Sequence, residues 1–127
     1  MVTTLEHTNL TVTDALATAA WMASVFGWHT RWQGPSIHNG FSVHVGSDDS
    51  YLALYQPKTP PTPNAAGSYA TIGGLNHIAV TVSDLDATET RVRAQGFTTH
   101  SHADYEPGRR FYFNDSDGVE YEVVSYS

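Results

Sequence analysis

The sequence predicts an α+β fold in which two copies of one β-α-β-β-β module form curved mixed sheets around a cleft. Three observations predict it. Leu5-Glu6-His7-Thr8-Asn9-Leu10-Thr11-Val12-Thr13-Asp14 returns seventy residues later as Leu75-Asn76-His77-Ile78-Ala79-Val80-Thr81-Val82-Ser83-Asp84, and through Thr18 and Thr88 half of the fourteen aligned positions are identical. Each copy runs from an alternating strand into a helical pattern and then three further strand patterns. Between the copies, residues 57–67 carry four prolines and read as an extended connector. A repeat of this kind marks two supersecondary units, neither of which buries its apolar face alone. The 127 residues are therefore read as a single domain of two modules, 1–56 and 73–127, joined by a proline-rich linker at 57–72.

Each element has a local reason. Residues 4–12 alternate as a half-buried strand, with Leu5, His7, Asn9 and Thr11 on one face and Glu6, Thr8, Leu10 and Val12 on the other. Thr13 is the expected N-cap of a helix over 14–26, whose inward stripe is Leu16, Ala19, Ala20, Ala23 and Phe26, with Gly27 ending it. Trp28–Gln33 reads as a strand, Gly34-Pro35 as a turn, and Phe41–Val45 and Tyr51–Gln56 as two more strands. In the second copy, strand 75–82 leads to Ser83 as N-cap with Asp86 in capping-box position. A helix over 84–95 turns Leu85, Thr88 and Val92 inward. Strands follow at Phe97–His102, Arg110–Asn114 and Gly118–Tyr126, with a turn over Tyr105–Gly108. Asp115-Ser116-Asp117-Gly118 reads as a hairpin turn; a calcium-binding register would place Phe113 and Val124 where acidic ligands belong.

Composition narrows the function classes. The chain has no cysteine, which removes disulfides, thiolate metal sites and a thiol nucleophile. Thirteen acidic against six basic residues give a formal net charge of −7, the wrong sign for a nucleic-acid partner. No long apolar run is present, so no membrane partner is expected and the reading is a cytoplasmic protein.

Chemistry gathers on one face of the strands. With the greasier faces turned to the helices, His7, His44, Tyr51, Ala53 and Tyr55 face the cleft in the first module. His77, His100, His102, Arg110 and Tyr112 do so in the second. Aligning Leu52-Ala53-Leu54 with Tyr121-Glu122-Val123 adds Glu122 to that face and sets Ala53 where a fourth symmetric carboxylate would stand. His7, His77 and Glu122 then form a candidate two-histidine, one-carboxylate metal site with open positions for water or substrate. Such donors suit Mn, Fe, Zn, Ni or Co as divalent ions, and the sequence does not choose among them. Tyr112, Arg110 and His102 are candidates for orienting substrate, stabilising an oxyanion or moving protons. Tyr51, Tyr55, His44 and His100 are candidates for lining the substrate site. Trp21, Trp28 and Trp32 are expected to be packing groups.

The paired modules, the Leu75–Val80 run and Phe111-Tyr112-Phe113-Asn114-Asp115-Ser116-Asp117-Gly118-Val119-Glu120-Tyr121-Glu122 together resemble the vicinal oxygen chelate superfamily of glyoxalase, bleomycin-resistance and extradiol-dioxygenase-like proteins. The resemblance covers nearly the whole chain. The last run resembles the family's aromatic strand, Asp-Pro-Asp-Gly turn and ligand Glu, with Ser116 in place of Pro. By that resemblance His7, His77 and Glu122 fall on metal-ligand positions. Ala53 replaces the Glu of glyoxalase I-like members, which argues against glyoxalase I activity. Tyr112 resembles a substrate-binding Tyr of the fosfomycin-resistance thiol transferases, while His100–Tyr105 lacks their Lys and potassium-loop pattern. The resemblance implies a metal-dependent lyase, transferase or dioxygenase acting on a small molecule that chelates the metal through adjacent oxygens, and a homodimer. The alternative is a metal-free protein of the bleomycin-resistance type that sequesters a drug or aromatic ligand.

Overall fold

The computed structural model describes residues 1–127 as two compact units, Met1–Thr62 and Pro63–Ser127. In the first, β1 (His7–Thr11), α1 (Ala15–Phe26), β2 (His29–Pro35), β3 (Phe41–Gly46) and β4 (Tyr51–Gln56) follow in order. In the second, β5 (Ile78–Thr81), α2 (Leu85–Ala94), β6 (Thr99–Tyr105), β7 (Gly108–Asn114) and β8 (Glu120–Ser125) repeat the plan. Sheet orders are β1-β4-β3-β2 and β5-β8-β7-β6. The first strand of each unit pairs in parallel with the last, and the other pairs are antiparallel. A parallel pair needs a long crossover connection, which is what the helix and the two intervening strands supply.

The register carries the repeat through to the backbone. Asn9 lies opposite Ala53 in one sheet and Ala79 opposite Glu122 in the other. Ala53 and Glu122 are thus equivalent positions, as the repeat predicts.

Three local expectations are corrected. The N-caps are Asp14 and Asp84, whose carboxylates accept the N–H groups of Ala17 and Ala87 at 3.0 Å, rather than Thr13 and Ser83. Asp is at least as good a cap as Ser or Thr, and the residue nearer the first apolar turn takes the role. Asp86 consequently leaves the capping-box position and pairs with Arg109 at 3.0 Å. In α1 the buried residues are Ala15, Thr18, Ala19, Trp21, Met22 and Val25, and Leu16 is exposed. This helix is apolar nearly all round, so periodicity alone gives its face no sharp direction. Gly34 and Pro35 belong to β2, an edge strand where proline is tolerated. The reversal comes after them, where Ser36 N–H donates to Gly40 O at 2.9 Å and His38 and Asn39 take left-handed φ values of 57° and 61°. Alanine at Asp14 or Asp84 should each lower stability by about 1 kcal/mol in urea denaturation, and an effect near zero would return the cap to its neighbour.

One face of each sheet packs under its helix. Val43, Val45, Leu52 and Leu54 meet α1, while Leu85, Thr88 and Val92 of α2 are buried over the second sheet as their spacing predicts. Phe111, Phe113, Tyr121 and Val123 complete that second core without exposed surface. The Tyr121 hydroxyl donates to Asp115 Oδ2 at 3.2 Å, and Asp115 Oδ1 accepts the N–H groups of Asp117 and Val119 at 3.0 Å. Burial pushes the Asp115 carboxyl up, against the pull of these hydrogen bonds. The turn thus uses Asp115 to satisfy its own backbone, with Gly118 at φ 82°.

Candidate functional site

The opposite face of the second sheet holds a compact polar group. His77 sits just before β5 with Nε2 3.4 Å from Glu122 Oε1 and Nδ1 3.5 Å from Glu120 Oε2. Its Nδ1 is shut off from solvent and makes no hydrogen bond. Glu120 and Glu122 flank the ring because they are two apart on β8 and so share a face. Arg110 donates to Glu122 Oε2 at 2.8 Å, and both side chains of that pair are largely buried. The carboxylate beside it holds the guanidinium above its ordinary range. The Arg110 guanidinium also lies 4.9 Å over the Tyr105 ring. Tyr112 lies opposite Glu122 in the register and meets the edge of His77 at 5.8 Å. Burial, and then hydrogen bonding to Glu122 and that residue's charge, push its phenol up, so it is a neutral donor at ordinary pH. His100 stacks on Tyr112 at 6.3 Å, with Nε2 2.8 Å from Asn114 Oδ1.

His102 is not with them. An extra residue enters β6 between His100 and Ala103, where Ser101 takes φ 57°, and a bulge of this kind re-aims every side chain beyond it. His102 therefore faces α2, with Nε2 2.6 Å from Glu89 Oε2 and its ring stacked on Phe111 at 6.1 Å. Burial raises the Glu89 carboxyl, but the hydrogen bonds from Thr99 and His102 outweigh it and leave it lowered. The expectation that His102 shares a face with His100 is corrected by this register shift.

In the first unit, the equivalent face carries a stacked series. His7 lies on Tyr51 at 4.8 Å, His44 on Tyr51 at 4.8 Å, and Trp32 leans on His44 at 5.0 Å. The Arg31 guanidinium sits 4.5 Å over the Tyr51 ring. His7 Nδ1 is 2.8 Å from Glu6 Oε1, which also accepts the Tyr51 hydroxyl at 3.2 Å. These two contacts hold the Glu6 carboxyl low. Burial is the main cause that pushes the His44 imidazole down, with the Arg31 charge acting in the same direction. Tyr55 is on the same face but its hydroxyl braces the preceding turn, donating to Ile37 O at 2.8 Å. Ala53 is buried there, at 3% exposure.

Five residues of these faces were not expected from sequence. Trp32, expected as a packing group, is 48% exposed because a bulge between Thr30 and Trp32 shifts the register of β2. Arg31 stands at that bulge, with its guanidinium over Tyr51. Glu6 lies before β1 begins, so strand alternation does not govern it and it reaches His7 rather than the opposite face. Tyr69, in the linker, donates to Glu120 Oε2 at 2.9 Å. Glu120 itself was legible, since alternation from Glu122 places it on the same face.

No three metal-ligating side chains within either unit stand in a geometry that would hold an ion. What the second unit does supply fits a borderline divalent ion: an imidazole Nε2 and a carboxylate oxygen facing each other, with the other carboxylate oxygen taken by Arg110.

Two β-α-β-β-β units of one topology, each with a histidine at the start of its first strand, define an α+β protein of the vicinal-oxygen-chelate type. The chain belongs to the Glyoxalase/Bleomycin resistance protein/Dioxygenase superfamily, whose family model matches residues 4–123. Among solved structures it is similar to a glyoxylase/bleomycin resistance protein/dioxygenase domain from Frankia sp. EAN1pec, with TM-score 0.83 and 19% identity over 100% of this chain and 94% of that one. It is similar to TnmS3, an antibiotic binding protein from Streptomyces sp. CB03234, with TM-score 0.75 and 20% identity over 99% and 98%. It is also similar to a single-residue mutant of the fosfomycin resistance protein FosX from Listeria monocytogenes, solved with Mn(II) and a dihydroxypropylphosphonic acid, with TM-score 0.73 and 19% identity over 98% and 93%. No curated protein matches in sequence. No helix is long and apolar enough to cross a membrane.

Proposed function

We propose that the chain is a metal-dependent enzyme of this superfamily, acting on a small molecule that chelates a divalent ion through adjacent oxygens. The observation that carries this reading is His77 Nε2 facing Glu122 Oε1 at 3.4 Å. With the ring proton on Nδ1, the Nε2 lone pair and a carboxylate oxygen so placed offer two donors to one cation between them. His77, Glu122 and the repeat-equivalent His7 are the proposed ligands, for Mn, Fe, Zn, Ni or Co. An ion held by these residues would supply Lewis-acid polarisation of the substrate oxygens. Arg110 attracts an anionic substrate and fixes the Glu122 carboxylate, while Tyr112 donates a hydrogen bond to oxygen as charge develops on it. His100 lines the same face beside Tyr112. FosX carries Mn(II) with a phosphonate, which supports an oxygen-chelating, anionic substrate class. The enzyme is proposed to work as a homodimer, with His7 supplied by the same subunit or by the second copy; closed two-fold association is the commonest arrangement for identical chains.

A second reading has its own observation. The series His7, Tyr51, His44 and Trp32 is a ready stacking surface for a planar ligand, and TnmS3 is an antibiotic binding protein. Refolding with each metal, dialysis and elemental analysis separate the two. About one tightly held ion per chain, in a particle of two chains by light scattering, is the expected result. No retained ion, with quenching of tryptophan fluorescence by aromatic ligands, gives the binder.

A further inference from the structure

His7 and His77 are equivalent by sequence, and each has a carboxylate at its Nδ1 that comes from a non-equivalent place. For His7 it is Glu6, at 2.8 Å, adjacent in the chain. For His77 it is Glu120, at 3.5 Å, from β8. In each unit a tyrosine hydroxyl donates to the very oxygen that faces the imidazole: Tyr51 to Glu6 Oε1 at 3.2 Å and Tyr69 to Glu120 Oε2 at 2.9 Å. Different residues thus build the same Tyr–Glu–His chain twice.

We infer that Glu6 and Glu120 are positioning residues, each accepting a hydrogen bond from the Nδ1–H of its histidine and leaving Nε2 of His7 and of His77 as the nitrogen free to ligate. The argument is one of satisfaction. His77 Nδ1 is buried without a partner, and the polar group within reach is an acceptor, Glu120. A lone pair at Nδ1 would face that carboxylate with no solvent to relieve it, whereas a proton there completes a charge-assisted hydrogen bond. At Nε2 the balance is the reverse. Glu122 is already ion-paired through Oε2 to Arg110, so it asks less for a proton, and an unprotonated Nε2 is what a metal needs. Histidine ligands elsewhere donate their second ring N–H to a carboxylate or carbonyl, which fixes tautomer and ring orientation. Glu120 departs from the Glu6 solution because residue 76 is Asn, so the second unit must draw its carboxylate from across the sheet. Tyr69 then gives part of the linker a task, that of holding Glu120 turned toward His77.

The metal role of Nε2 rests on the proposed function, but the tautomers do not, and they can be read without metal. Long-range proton–nitrogen correlation spectra of metal-free, ¹⁵N-labelled protein at about pH 8.5, above the ordinary histidine range, assign the proton on each ring. Free histidine favours Nε2–H, so the expected Nδ1–H form of His7 and His77 is diagnostic. Glu120→Ala should move the His77 proton to Nε2 and leave His7 unchanged; Glu6→Ala should do the opposite. Glu120→Gln, whose amide oxygen still accepts, should keep Nδ1–H and also guards against a folding defect in the alanine variant. By calorimetry, Mn(II) affinity should fall about 10–100-fold in Glu120→Ala and less in Glu120→Gln. Nε2–H rings in the parent, or a His77 tautomer indifferent to Glu120, overturn the inference. Tautomers that move as stated in a protein that binds none of Mn(II), Fe(II), Zn(II), Ni(II) and Co(II) uphold the positioning role and overturn the metal reading instead.

Discussion

Glu122→Ala should lower divalent-metal affinity by more than about 100-fold, beyond the 10–100-fold that loss of an outer hydrogen-bond partner costs, and turnover should fall with it. The side chain is placed to do two things. Oε1 faces His77 Nε2 at 3.4 Å and Oε2 accepts from Arg110 at 2.8 Å. Removing it takes away the anionic donor and leaves a cation, Arg110, beside the remaining imidazole, so the site changes from attracting a metal to repelling one. Glu122→Gln separates these effects. It keeps the shape and an oxygen for Arg110 but not the charge, and its affinity should fall between parent and alanine. Calorimetric titration with Mn(II) or Zn(II), after circular dichroism has shown each variant folded, gives the numbers. Parent-like affinity in both variants would remove Glu122 from the site.

How far the site could be read in advance depends on what kind of regularity placed each residue. The repeat placed His77, and strand alternation placed Glu122, Arg110, Tyr112 and His100 on one face of the second sheet, because in an unbroken ladder the two-residue period leaves no freedom. Where the ladder breaks, the reading breaks. One extra residue in β6 sends His102 to the helix side, and one in β2 exposes Trp32. Such bulges have no marker in these sequences: neither Arg31 nor Ser101 is a glycine. Glu6 was misplaced for a related reason, since the strand begins one residue after it. The helices show the same contrast. Polar residues surround the stripe of α2 and make it legible, whereas the near-uniform apolarity of α1 hides which side is buried. Tyr69 was beyond pattern reasoning altogether, because a proline-rich connector has no period from which a contact can be inferred.

The largest loss of stability should come from Phe113→Ala, at about 3–5 kcal/mol, out of a total that for ordinary domains is about 5–15 kcal/mol. Phe113 has no exposed surface. Its ring is stacked between Phe97 at 5.8 Å and Tyr121 at 5.1 Å, with Phe111 tilted against it at 6.4 Å. Three of the four rings come from β7 and β8, so the strand bearing Arg110 and Tyr112 on one face is braced by aromatic packing on the other. Truncation removes the transfer energy of the ring and leaves a cavity that its stacked neighbours, fixed by backbone pairing, cannot close. Tyr121 has a further constraint, because its hydroxyl must stay with Asp115 and so cannot swing into the void. Phe113→Leu refills most of the volume and should cost less than about 1.5 kcal/mol. Far-UV circular dichroism in urea measures both variants on the same scale. The tryptophans are unsuitable reporters here, since all three lie in the first unit. An alanine variant within about 1 kcal/mol of the parent would mean that the second sheet does not rest on this aromatic stack, and with it would go the rigidity assigned to the face that carries Glu122.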